Sequence, residues 1–311
     1  MRASGRSRGE RGLQNRRRRT TRLIDLTRRL TEAPYALFSL GAFAEDYGAA
    51  KSSISEDLAM IKAVLEAEGS GTVRTFAGAQ GGVRFEPWMG PEAAEAFVLR
   101  LLQEIEQPER LLPGGFLYIT DLLGRPDVLR PFGRLIATLY WDEAIDWIMT
   151  VETKGIPLAY AAAFWLGRPV AIARRDSQIT EGSVVTINYV SGSGLRIQTM
   201  SLSRRTMPPG ARVLLIDDFL RGGGTVRGLA ELCREFQADV VDTVVLIESP
   251  ASAPRLVDDY RSIIRLTALD DHGREIRAEA GGFRSALDAA YRRMRRYQSP
   301  ERTHDEGGER R

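Results

Sequence analysis

The sequence has one cysteine, Cys233, and only two histidines. A single thiol can neither close an internal disulfide nor build a thiolate zinc cluster, a composition that suits a reducing cytoplasm. No apolar run approaches the roughly 20 residues that cross a bilayer, and the basic N-terminus lacks the apolar stretch of a secretory signal. A cytoplasmic protein without a membrane segment is therefore expected. Net charge is also small, +3 over 311 residues, but it is unevenly placed. Residues 1–22 carry Arg2, Arg6, Arg8, Arg11, Arg16, Arg17, Arg18, Arg19 and Arg22 against the single acid Glu10. With few side chains to bury, residues 1–19 are expected to form a disordered basic arm. Such an arm can follow phosphates or enter a minor groove; a solvated tail without a ligand has the same composition.

What is present, 43% apolar residues in 311, is enough for one large core and a smaller module. The smaller module is read at residues 20–88. Leu23, Leu26 and Leu30 recur at helical spacing until Pro34, residues 40–47 form a second short helix closed by Gly48, and a third begins near Lys51. Ser53 and Glu56 have capping-box spacing. Beyond them Ile54, Leu58, Ile61 and Leu65 make one apolar stripe, which leaves the small and basic residues Lys51, Ser52, Ser53 and Ser55 for close approach to a partner. Residues 72–76 and 83–86 read as strands of a hairpin turned by Gly78, Gly81 and Gly82. Three helices and a hairpin make a winged helix, with the third helix in a major groove and Arg74 and Arg84 available for phosphates. A helical cap or dimerisation module would show the same elements.

From Phe116 onward short apolar runs alternate with amphipathic helices, the pattern of a mostly parallel sheet covered on both faces. Ligands of such sheets gather at the carboxyl ends of strands. There the chain carries Val213-Leu214-Leu215-Ile216-Asp217-Asp218-Phe219-Leu220-Arg221-Gly222-Gly223-Gly224-Thr225. The paired aspartates can accept hydrogen bonds from the 2- and 3-hydroxyls of a ribose. Three glycines allow backbone N–H groups to turn toward a phosphate at a helix N-terminus, and Thr225 adds a hydroxyl. This combination resembles the motif with which type I phosphoribosyltransferases bind 5-phosphoribosyl-1-pyrophosphate (PRPP). Thr153, Lys154 and Gly155 likewise follow a strand and open a helix, and look like the pyrophosphate loop of that family; alone they would read as a helix cap. Residues 183–205 suggest a hairpin with a Gly/Ser tip, in which Tyr189, Ser191 and Arg196 would belong to a flexible loop that closes over PRPP. Cys233 and His272 lack partners in the pattern and read as structural.

Taken together, residues 50–58, Pro113-Gly114-Gly115, residues 153–160, residues 187–193 and the loop from Asp217 to Thr225 resemble the purine operon repressors of the phosphoribosyltransferase type. The resemblance implies an α/β chain: an N-terminal winged helix, then a type I phosphoribosyltransferase fold over residues 89–298, with a tail from 299 to 311. It implies a homodimer on double-stranded DNA at purine-operon control regions, no catalytic residue and no protein-bound metal. PRPP, with or without Mg²⁺, would be the effector that lowers DNA affinity, and a pyrophosphorylated guanine nucleotide would serve as co-repressor. Two features depart from the family pattern. Gly222 stands where the enzymes usually carry Thr, with Arg221 beside it to supply charge, and the Arg-rich arm is longer than the family needs. An active adenine- or xanthine-type phosphoribosyltransferase using the same loops with magnesium is the competing reading, and a protein-recruiting front module a third.

Overall fold

The computed structural model describes residues 19–78, 81–175, 182–190, 197–250, 254–270 and 275–298. The arm positions Arg16, Arg17 and Arg18 lie outside them, as do Ser191 and Arg196.

The first unit contains α1 (Arg19–Glu32), α2 (Leu40–Tyr47), α3 (Lys51–Ala67) and the hairpin β1 (Gly71–Phe76) and β2 (Gly82–Pro87). Leu26 and Leu30 of α1, Phe43 and Tyr47 of α2, and Ile54, Leu58 and Ile61 of α3 close one small core with Val73, Val83 and Phe85. Helix α2 is delimited by its caps: Ser39 accepts from the N–H groups of Gly41 and Ala42, and Gly48 ends it at φ 57°. Helix α3 differs from its expected start. It begins at Lys51 with Ala50 as N-cap and no side-chain cap, so Ser53 and Glu56 already lie inside the helix and form no capping box. The reason is local: the Ile54 N–H donates to the Ala50 carbonyl, 3.1 Å away, which fixes the first turn upstream of Ser53.

Arg19 and Arg22, read from sequence as arm residues, belong to α1. Arg22 is buried, and both guanidinium groups donate to the fully buried Asp57 of α3. A buried carboxylate demands such partners, and this pair takes Arg19 out of a free phosphate-seeking arm.

The second unit is built on a six-stranded sheet in the order β12-β11-β10-β9-β5-β6. Strands β5 (Trp147–Val151), β6 (Val170–Ala173), β9 (Arg212–Leu220), β10 (Asp239–Glu248) and β11 (Arg261–Asp270) run parallel, and β12 (Glu275–Ala280) is the antiparallel edge. One face is covered by α4 (Pro91–Ile105), α5 (Pro126–Leu139), α6 (Gly155–Leu166) and α8 (Arg284–Gln298). The other is covered by α7 (Gly224–Glu235) and the hairpin of β7 (Val184–Val190) and β8 (Ile197–Ser203), around Met149, Leu215, Val226, Leu229 and Cys233. Two short strands, β3 (Leu111–Leu112) and β4 (Phe116–Leu117), lie apart. Pairing β9 beside both β5 and β10 brings the ends of the two glycine-bearing loops together. Trp88 and Met89, directly after the hairpin, pack into the core of this second unit. Among the described residues no helix is long and apolar enough to cross a membrane.

Candidate functional site

The strand β9 ends in Asp217 and Asp218. Asp217 is buried, and its Oδ1 accepts from the Asp218 N–H at 2.9 Å. Burial first, and then the charge of Asp218, push the Asp217 carboxyl well above the ordinary carboxylate range. Asp218 is also raised by burial, while its hydrogen bond with Asp217 and the Lys154 ammonium pull it back down. Two adjacent carboxylates without a buried cation between them hold charge that a hydroxyl-donating or cationic ligand would relieve.

Gly223 occupies φ 80°, where a Cβ would stand 2.6 Å from Val257 Cγ2, so glycine is demanded by both conformation and space. It is the N-cap of α7 and supplies no side chain, which leaves the first N–H groups of that helix for an external acceptor. The other loop is equally tight. A Cβ on Gly155 would lie 2.2 Å from Thr150 Oγ1 and 3.2 Å from Asp217 Oδ1, so the start of α6 lies against the acid pair.

Between the loops is a cavity of about 560 Å³ lined by Lys154, Asp218, Phe219, Leu220, Arg221, Gly222, Gly223, Gly224 and Thr225. A neighbouring cavity of about 450 Å³ adds Thr153 and Asp217 and shares Lys154, Asp218, Phe219 and Thr225 with the first. The residues singled out from the two loops are thus gathered at one place. Several lining residues had escaped the sequence reading, among them Arg175, Gln198 and Phe116. Arg175 borders both cavities, directly after β6; the strand-end rule applied to Val170–Ala173 could have found it. Gln198 borders the larger one, and Phe116 lies 5.3 Å beneath the Arg221 guanidinium; neither carried a sequence signal.

Tyr189 departs from its assignment to a flexible loop. It lies in β7, 5% exposed, with its ring against Gly228 of α7 and its hydroxyl donating to Gln198 Oε1 at 2.7 Å. Packing on a helix fixes its ring, and its hydroxyl meets Gln198, a residue that lines the cavity.

On the winged helix, Lys51, Ser52 and Ser55 are exposed and Ser53 is half-buried. Arg74 and Arg84 do not stand free for phosphates. They oppose each other across the hairpin, where like charges repel, and the buried Glu86 answers both: its Oε1 accepts from Arg84 at 2.6 Å and Arg74 at 3.5 Å. Arg84 stacks on Phe76 and Tyr35, and Arg74 on Phe76, Trp141 and Tyr297. Arg74 therefore joins the two units, while Arg84 is held within the first.

Residues 18–87 match the family model described as the bacterial purine repressor, N-terminal, and residues 120–275 match that of the phosphoribosyl transferase domain. The chain is 50% identical over 266 residues to the purine biosynthesis transcriptional repressor PurR of Bacillus subtilis, covering 86% of this chain and 93% of that protein. It is 40% identical over 266 residues to the purine biosynthesis transcriptional activator PurR of Lactococcus lactis, covering 86% and 98%. It is 31% identical over 167 residues to the xanthine phosphoribosyltransferase of Leuconostoc mesenteroides, covering 52% of this chain and 88% of that enzyme.

Proposed function

Since the chain belongs to the bacterial purine repressor family, a DNA-binding module followed by a phosphoribosyltransferase domain, we propose that it represses purine genes as a dimer and is released from DNA by PRPP. The observation that carries this reading is the convergence of Asp217, Asp218, Lys154 and the glycine loop on one cavity.

The chemistry of each part fits one part of the ligand. The ribose hydroxyls donate to the carboxylates of Asp217 and Asp218. The 5′-phosphate takes the N–H groups at the start of α7 and the Thr225 hydroxyl. The pyrophosphate lies against Thr153, Lys154 and Gly155, with Arg175 as a second cation. PRPP would enter as its magnesium complex, the ion carried on pyrophosphate oxygens. A guanine nucleotide with a pyrophosphoryl group offers the same anion and would compete for the same loops.

DNA is engaged by α3 through Lys51, Ser52, Ser53 and Ser55 in the major groove, with the basic arm of Arg16 to Arg18 on the backbone. PRPP can alter that affinity only by binding the free state more tightly than the DNA-bound one.

The test is a titration of labelled purine-operon DNA. A shift with steep salt dependence, weakened by PRPP and Mg²⁺, is expected. The match of residues 120–275 to a transferase domain favours one rival, a purine phosphoribosyltransferase. Turnover of PRPP with adenine, guanine or xanthine in the absence of any DNA shift would replace repression with catalysis.

A further inference from the structure

The last helix, α8 (Arg284–Gln298), is amphipathic in an unequal way. Leu287, Ala290, Tyr291 and Met294 are buried in the core of the second unit, and the Tyr291 hydroxyl donates to the Met89 carbonyl at 2.8 Å. The outward face carries Arg292, Arg295 and Arg296, all exposed and spaced so that they share one face of the helix. Arg293 is paired with Asp142 at 2.9 Å. Among the described residues the other three have no acidic partner within an ion-pair distance.

The end of this helix reaches the winged helix. The Tyr297 ring lies 4.6 Å from the Arg74 guanidinium and 5.4 Å from the Trp141 ring. Tyr297 also lines a groove whose other walls are Ser55, Ala59 and Lys62 of α3 and Arg74 and Thr75 of β1. Arg295 and Arg296 sit on the outward face of the same last turn, within one helical turn of the residue that lines the groove between α3 and the wing. Arginines in a last turn also offset the helix dipole, which is worth about 0.3–1 kcal/mol each. Dipole compensation accounts for basic residues in the last turn but not for Arg292 one turn earlier, nor for the absence of an acidic partner on a helix end that meets the winged helix.

We propose that Arg292, Arg295 and Arg296 form a second DNA-backbone surface, contributed by the phosphoribosyltransferase unit and continuous with the recognition helix. The inference rests on the DNA-binding reading above. It assigns to α8 the phosphate contacts that Arg74 and Arg84, held by Glu86, do not supply. Such contacts add affinity without sequence preference, and they place part of the DNA grip on the unit that holds the effector pocket.

The experiment compares wild-type protein with R292A/R295A/R296A, with R292K/R295K/R296K and with K51A, on operator DNA across a salt series. The triple alanine variant should lose at least about 10-fold in affinity at moderate salt, and its slope of log affinity against log salt should become shallower by about 2 to 3 for each protomer engaged. Its preference for operator over random DNA and its calorimetric uptake of PRPP should be unchanged, and lysines should restore the slope. An unchanged slope in the alanine variant while K51A weakens binding overturns the inference and leaves the DNA-binding reading standing. Unchanged affinity in both variants overturns that reading as well. A measurement on unaltered protein decides the matter if the variant does not fold: operator DNA should protect Arg295 and Arg296 from an arginine-selective dicarbonyl reagent, and equal modification with and without DNA overturns the proposal.

Discussion

Asp217 is buried beside a second carboxyl, and its raised pKa has a consequence for stability. A carboxyl whose pKa is higher in the folded chain than in the unfolded one stabilises the fold below its unfolded titration range, and that contribution is lost as pH climbs through the folded value. Wild-type protein should therefore lose stability relative to D217N, which has no charge to bury, as pH rises above about 4. Thermal melts of the two proteins across that range check the sign; a difference independent of pH would mean that the carboxyl is not destabilised. Asn keeps an Oδ1 for the Asp218 N–H but weakens the grip on ribose hydroxyls, so D217N/D218N should retain DNA affinity and lose the PRPP response. A double variant that still responds would remove the pair from the effector site. The acid pair was legible in the sequence because two adjacent carboxylates before three glycines are chemically unusual. Tyr189 was misread for the opposite reason: a Tyr near a Gly/Ser tip looks mobile until α7 is seen to cover it.

The two phosphate loops act as elements because each joins a strand to a helix without slack. In G223A a side chain would be forced into φ 80° and against Val257, a cost of about 1–3 kcal/mol for the conformation alone. PRPP affinity should fall by well over 10-fold, read by calorimetry, with DNA binding preserved; an unchanged affinity would exclude the α7 N-terminus as the phosphate seat. The wing shows how an element can be recognised and its side chains misassigned. Alternation and glycines predicted the β1–β2 hairpin to within a residue at each end. That Arg74 and Arg84 would turn to Glu86 depended on cross-strand register and on aromatic rings supplied by Trp141 and Tyr297, residues more than 50 positions away. Helix α3 likewise followed from its apolar stripe, while its start was set by a backbone hydrogen bond that no capping residue announces.

At the scale of the whole molecule, α6 spans the distance between the proposed effector pocket and the DNA-binding module. It begins at Gly155 against the acid pair and, 12 residues or about 18 Å later, ends at Gly167 against Pro34 and Tyr35, where a Cβ would lie 2.8 Å from the Pro34 carbonyl. Trp165 packs on the winged-helix core. Its ring also lies 5.7 Å from the guanidinium of Arg134, which donates to the Trp88 and Gly69 carbonyls. A rigid helix fixed at both ends is a physical route for coupling. W165A should leave PRPP and DNA each able to bind while reducing their mutual effect by about 0.5–2 kcal/mol; full coupling in that variant would exclude this route. The sequence by itself determined the winged helix, the parallel α/β pattern and the strand–loop–helix setting of the acid pair and glycines, because periodicity and turn residues are local. Only the tertiary structure decided that Arg175 and Phe116 join the cavity, that Arg22 is buried and that α8 ends beside the recognition helix. Those outcomes depend on which strands become neighbours and which charges find each other, and residues far apart in the chain carry no local mark of either.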